Sequence, residues 1–184
     1  VGKSMGLIYG FVNDGFYTVD DFNFDETTKK WTLKPGVPDN SSFSSGNFSF
    51  KPGAMKFKKL SDSDSDLITE EDMTVIGNTN PKVTGGFGLS GSWKNLDFTA
   101  FFNYMCDFDV FNVNKLYLNS AVRRNYSNLS TNMNLARRFR YVDDAGVNVS
   151  SDPVALAALN QNAATYSWMS VTQGITMSDL IEDG

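Results

Sequence analysis

The sequence predicts an all-β chain, namely a fragment of a large antiparallel transmembrane β-barrel with about three strands and long extracellular loops that contain short helices. Two segments alternate apolar and polar residues, a very short turn joins them, and long connections flank the pair. The composition agrees with this fold class, because 15 Phe, 15 Gly and an aromatic content of 14% suit pleated strands better than helices.

The most regular stretch covers residues 83–93 and 96–105, where alternate positions are apolar and the positions between them are small or polar. Only Lys94 and Asn95 separate the two segments, so we expect one tight antiparallel hairpin. The side chains expected on its outer face include Phe87, Leu89, Phe98 and Phe102. Those expected on its inner face include Ser90, Ser92, Thr99 and Asn103.

The length of these segments favours strands that cross a membrane. Each has about ten residues, close to the roughly 9–11 that a tilted strand needs to cross a bilayer, whereas strands of soluble sheets have about 5–6. Trp93 and Tyr104 lie near the strand ends, where interfacial aromatics collect. A half-buried hairpin in a soluble sandwich explains the alternation equally well.

A third strand is expected near residues 5–13, closed by the turn signal Asn13-Asp14-Gly15. Together with strands near 83–93 and 96–108, it leaves extracellular loops over residues 16–81 and 112–184. Long loops around a very short turn favour an outer-membrane barrel over a compact soluble domain. Because bacterial barrels have at least about eight strands, the remaining strands must lie outside the chain.

Short helices are expected in the second loop. Asp152 followed by Pro153 is a typical helix start, with a capping carboxylate and proline at the first helical position. Residues 113–122 and 132–140 are further candidates for helices.

The absence of His removes the commonest general base and most zinc sites, so an enzyme is not expected and no catalytic residue is assigned. A net charge of −5 argues against nucleic acid as a partner. A single cysteine, Cys106, cannot form an internal disulfide. No apolar run approaches the roughly 18 residues of a membrane helix.

Three blocks of sequence carry a resemblance to a known family. Residues 6–16 (GLIYGFVNDGF) resemble the G-x-x-Y-G-Y-x-x-D-G-I/F segment of SusC/RagA-type TonB-dependent outer-membrane receptors. Residues 72–87 (DMTVIGNTNPKVTGGF) are similar to that family's D-R-T-V-I-G-N-P-N-P-K-x-T-G-G-F and form the longest contiguous match. Residues 93–102 (WKNLDFTAFF) resemble its Y-K-N-F-D-L-S-x-F-F strand pair, and residues 181–184 resemble the run into the next barrel strand.

This resemblance implies an interior segment of the C-terminal barrel of a transporter that imports glycans or peptides across the outer membrane of a Bacteroidetes-type Gram-negative bacterium. The expected partners are a SusD-like surface lipoprotein, outer-membrane lipid, the nutrient itself, and TonB through an N-terminal region. The plug domain and the TonB box are expected to lie outside the chain. Substrate-binding residues remain unassigned.

The segment 61–72 (SDSDSDLITEED) lies where the family usually has a calcium loop, D-x-N-x-D-G-x-I-x-x-x-D, so Asp62, Asp64, Asp66 and Asp72 are candidate Ca²⁺ ligands. The match depends on the alignment. Anchoring on Asp72 puts serines at the odd ligand positions, whereas anchoring on the first three aspartates puts Met73 in the last position. A solvated acidic loop is the alternative.

A second class of function also fits the sequence: a soluble β-sandwich module that binds carbohydrate, for which calcium would be a stabilising ion. In either class, surface-loop aromatics would meet the substrate. The residues considered for this role are Trp31, Tyr166 and Trp168.

Overall fold

The structure is a computed structural model, and it describes residues 4–43, 50–118, 131, 136–167 and 178–184. Strands predominate in these residues and α-helices are few, in agreement with the all-β expectation. Every sheet in the described part of the chain is a two-stranded antiparallel pair, and none closes into a barrel.

The described strands, in chain order, are β1 Leu7–Gly10, β2 Asn13–Phe16, β3 Phe22–Asp25, β4 Lys30–Leu33, β5 Met55–Phe57, β6 Thr74–Asn78, β7 Val83–Trp93, β8 Leu96–Cys106, β9 Asp109–Phe111 and β10 Ile181–Asp183. The α-helices are α1 Val113–Leu118 and α2 Pro153–Leu159. The paired strands are β1 with β6, β2 with β5, β3 with β4, β7 with β8, and β9 with β10.

The central hairpin has the predicted form. β7 and β8 pair without interruption from Val83 opposite Cys106 to Trp93 opposite Leu96. Phe87 lies opposite Phe102, so the apolar side chains share one face, as the alternation predicts. β8 ends at Cys106 rather than near residue 108, because Asp107 adopts a left-handed backbone with φ of 62° and breaks the strand.

The strand predicted near residues 5–13 is present but shorter, as β1 over Leu7–Gly10, and the predicted turn does not close it. β1 ends at Gly10, and Asn13-Asp14-Gly15 lies inside β2 instead of closing a strand. Asn13 Oδ1 accepts a hydrogen bond from Gly15 N at 2.9 Å, and Gly15 has φ of 80°. The local turn chemistry therefore exists, but it produces a bulge in the pairing of β2 with β5.

The two long segments 16–81 and 112–184 are not separate irregular loops. Residues 16–81 contain four of the strands, β3 to β6. Both segments contribute side chains to one hydrophobic core, which we call the shared core. Its buried members are Phe11, Met55, Phe57, Ile68, Tyr166 and Leu180.

Hydrogen bonds also join the two segments directly. The Tyr141 hydroxyl donates to Pro52 O at 2.7 Å, Ser167 N donates to Gly53 O at 2.8 Å, and Trp31 Nε1 donates to Ser150 O at 3.0 Å. The segments before and after the hairpin thus form one folded body at the end of the hairpin opposite Lys94.

The helix predicted after Asp152 is confirmed. The Asp152 carboxylate accepts hydrogen bonds from Val154 N and Ala155 N, and α2 begins at Pro153. Helix α1 matches the first part of the candidate helix 113–122. The candidate helix 132–140 is wrong over residues 136–140, where Arg137 O accepts from Ala164 N and Thr165 N, and residues 132–135 lie outside the described part.

Candidate functional site

The β7–β8 hairpin is solvent-exposed along nearly its whole length on both faces. On the apolar face, the rings of Phe87 and Phe102 stack with centroids 4.8 Å apart. Phe98 lies across Gly91, since a Cβ there would come within 2.4 Å of its ring. Exposed apolar surface of this kind is typical of surfaces that contact a membrane or a partner, because its exposure to water is unfavourable in free energy.

The opposite face carries mostly small and polar side chains, with Phe101 and Met105 as exceptions. Its cross-strand pairs include Ser90 with Thr99 and Ser92 with Asp97. Both outer edges of the two-stranded sheet lack a strand partner among the described residues. Unpaired edges eleven residues long present open backbone donors and acceptors to any further strand.

Where the hairpin meets the folded body, polar contacts and close packing hold it. Lys82 Nζ lies 2.7 Å from Asp107 Oδ2, and hydrogen bonding to Asp107 raises the pKa of Lys82. Asp109 Oδ2 accepts from Asn78 N at 2.7 Å. A Cβ on Gly77 would lie 3.0 Å from Ile181 Cγ2, so β6 packs tightly against β10. An exposed ion pair contributes little stability, so these contacts chiefly orient the hairpin.

Asp72, one of the four candidate calcium ligands, is fully buried and internally paired. Its Oδ1 accepts from Leu60 N and Ser61 N at 2.9 and 2.8 Å, and its Oδ2 accepts from Thr69 N at 2.8 Å. Lys59 Nζ lies 3.2 Å from the same Oδ2. Burial alone raises the pKa of Asp72, but the hydrogen bonds outweigh it and hold that pKa well below its usual range.

The other three candidate ligands lie at the surface. Asp62, Asp64 and Asp66 are exposed, and Asp66 Oδ2 accepts from Gly36 N at 2.7 Å. Among the described residues, no group of three or more acidic or cysteine side chains is placed to hold a metal ion. The structure therefore does not gather the four aspartates around one point, and calcium binding stays a prediction.

Two of the three loop aromatics considered for substrate contact are described by the structure. Tyr166 is buried in the shared core, so its assignment to the surface is wrong. Trp31 is half-buried and packs against Phe24, with ring centroids 4.7 Å apart and the ring planes tilted by 49°. Trp168 lies outside the described residues.

The sequence analysis singled out residues 181–184 only as a run into a further strand, yet the segment 178–184 connects several elements. Asn13 N donates to Ser178 Oγ at 2.9 Å, and Asn112 N donates to Leu180 O at 2.8 Å. Burial raises the pKa of the Asp179 carboxyl, whose Oδ1 has no hydrogen-bond partner in the described part of the chain. The apolar Leu180 is the feature of this segment that could have indicated its packing against the shared core, and one leucine is too weak a signal.

Within the described residues, no helix is both long and apolar enough to span a membrane. No protein-family model matches the chain, and a search of curated proteins finds no significant match.

Proposed function

We propose that this chain forms part of the wall and mouth of an outer-membrane TonB-dependent transporter of the SusC type, which imports glycans or peptides with a SusD-like lipoprotein. The proposal has no catalytic role for the chain. The observation that supports it best is the β7–β8 hairpin, which exposes an apolar face, a polar face and two open edges at once.

The dimensions of the hairpin fit this role. At about 3.3 Å per residue and a tilt of about 40°, an 11-residue strand covers about 28 Å along the barrel axis. The apolar band of such barrels is about 25 Å tall. In a closed barrel, neighbouring strands would pair with both edges and lipid would cover the face of Phe87 and Phe98.

The position of the folded body is also consistent with a barrel. Outer-membrane barrels have short turns on the periplasmic side and long loops outside. The Lys94–Asn95 turn occupies one end of the hairpin, and the shared core occupies the other. In this proposal the body faces the medium, where it can meet the nutrient or the lipoprotein.

Cysteine labelling of the full-length protein in intact cells tests the proposal. In a background without other cysteines, Ser90→Cys should react with a small water-soluble thiol reagent, and Leu89→Cys should react only with a lipid-soluble one. Lys94→Cys should react with the water-soluble reagent only after the outer membrane is permeabilised. Equal labelling of all three in a soluble fraction would contradict the barrel.

A soluble carbohydrate-binding module is the second candidate. The observation that favours it is the shared core, which joins the segments before and after the hairpin and could support folding in water. A soluble, monomeric full-length protein with cooperative unfolding would favour this candidate over the barrel.

A further inference from the structure

Phe101 is a large aromatic residue in the middle of the polar face of the hairpin. Its side chain is 67% exposed. The face it shares runs through alternate positions of β7 and β8. The other members of that face are Thr84, Gly86, Gly88, Ser90, Ser92, Asp97, Thr99, Asn103 and Met105.

The Phe101 ring lies across two glycines of the neighbouring strand. A Cβ on Gly88 would be 3.2 Å from Phe101 Cδ2, and a Cβ on Gly86 would be 3.2 Å from Phe101 Cζ. Because glycine has no side chain, one surface of the Phe101 ring packs directly on the β7 backbone. Its high exposure shows that the other surface is open to solvent.

Unused hydrogen-bonding groups flank the ring on both sides. Asn103, opposite Gly86, lies on one side, and the Ser90–Thr99 pair lies on the other. None of these three side chains donates or accepts a hydrogen bond within the described residues. Asp97 is the only charged residue of this face and lies at the turn end, so the surroundings of the ring are neutral.

We propose that Phe101 is a stacking platform for a neutral sugar ring, with Asn103, Ser90 and Thr99 as hydrogen-bonding groups at its rim. A pyranose has an apolar C–H surface that matches an aromatic face, and hydroxyls at its edge that match amide and hydroxyl side chains. The rigid strands position these groups without an ordering cost. This site rests on the proposed function, which turns the polar face toward the water-filled lumen.

The apolar face provides an internal comparison. Phe98 also lies over a glycine, Gly91, and is 58% exposed. Its neighbours on that face are Leu89 and Trp93 on β7 and Leu96 and Ala100 on its own strand, and none of them offers a side-chain amide or hydroxyl. Phe98→Ala therefore removes a similar ring from a similar backbone without touching the polar rim.

Calorimetric titration of the purified full-length protein with maltohexaose, cellohexaose and mannohexaose tests the platform. We expect at least one to bind, and Phe101→Ala to weaken its binding about tenfold, by analogy with base stacking on aromatic side chains. Gly88→Val should weaken it similarly by lifting the ring, while Phe101→Trp and Phe98→Ala should leave it within about twofold.

Three results would overturn the platform: no binding of any of the three oligosaccharides, unchanged affinity in Phe101→Ala, or equal losses in Phe101→Ala and Phe98→Ala. If Phe101→Ala fails to fold, saturation-transfer-difference NMR is the deciding experiment. The platform then requires saturation transfer from aromatic protons of the unmodified protein to the bound sugar, and loss of that transfer in Gly88→Val. Cysteine labelling reports separately on the barrel, so a failure of the platform alone is distinguishable from a failure of the proposed function on which it rests.

Discussion

Lys59 and Asp72 form an ion pair in which the carboxylate is shielded from water: Lys59 Nζ lies 3.2 Å from Asp72 Oδ2, and the Asp72 side chain has no exposed surface. Three backbone N–H groups, from Leu60, Ser61 and Thr69, donate to the same carboxylate. Asp72 thereby holds the start of the acidic segment against its end.

We expect Asp72→Asn to lower the free energy of unfolding by about 2–4 kcal/mol, because the amide NH₂ would face backbone N–H donors and Lys59 would lose its charged partner. Urea denaturation of the full-length protein measures this change. Asp64→Asn is the matched control, since Asp64 is exposed, and it should stay within about 0.5 kcal/mol of the unmodified protein. Equal effects of the two substitutions would contradict the structural role of Asp72.

Asp72 should also make stability depend on pH in the acid range. Its folded pKa is lowered from 3.8, so the unfolded chain takes up the proton first as the pH falls. The stabilisation is complete above the unfolded pKa and is lost as the pH falls through the lower folded pKa. The difference in unfolding free energy between the unmodified protein and Asp72→Asn should be constant from about pH 7 to 5 and shrink below about pH 4. A difference that persists undiminished at about pH 1 would contradict this linkage.

Tyr17→Phe should destabilise the folded body by about 1–3 kcal/mol, because it leaves buried acceptors without a donor. Tyr17 is fully buried, and its hydroxyl lies 2.5 Å from Asn40 Oδ1 and also contacts Pro38 O. Tyr104→Phe is the control, since Tyr104 is 46% exposed on the hairpin, and it should be close to neutral. Thermal unfolding of both variants checks the prediction, which fails if they shift the midpoint equally.

Gly53→Ala should destabilise the protein more than Gly36→Ala. Both glycines have positive φ, 88° and 81°, so both substitutions carry the backbone strain of about 1–2 kcal/mol. At Gly53 the new Cβ would lie 2.4 Å from Phe139 Cδ1, whereas at Gly36 it would meet nothing within 4 Å. Denaturation should show an additional loss of about 1–3 kcal/mol at Gly53, and its absence would mean that residues 136–167 do not pack there.

The calcium prediction can be tested by titrating the full-length protein with Ca²⁺. Exposed Asp62 and Asp64 lie in one short acidic segment, where a cation would relieve their mutual repulsion. We expect heat of binding at millimolar Ca²⁺ that is lost in an Asp62→Asn, Asp64→Asn double variant. No heat in the unmodified protein would rule the site out. Because Asp72 is internally paired, its participation would require Lys59 to move.

The sequence alone determined the β7–β8 hairpin and helix α2. Strict alternation over many residues admits one strand register with Phe87 and Phe102 on the same face, and Asp152 before Pro153 leaves little freedom in where the helix begins. Such signals lie within a few residues of one another, so they can be read without knowledge of the rest of the chain.

Tertiary structure alone decided which distant residues meet. Tyr166 and Leu180 join Phe11 in the shared core, although more than 150 residues separate them from it. Nothing local distinguishes a buried tyrosine in a polar segment from an exposed one. The four-residue strands β2, β3 and β4 were not predicted, because so few residues cannot establish a period. The pairing of β1 with β6 and of β2 with β5 depends on partners that are distant in the chain. The burial of Asp72 was also not predictable locally. The preceding Glu70 and Glu71 are acidic and exposed, whereas most of the hydrogen-bond donors to Asp72 come from residues 59–61.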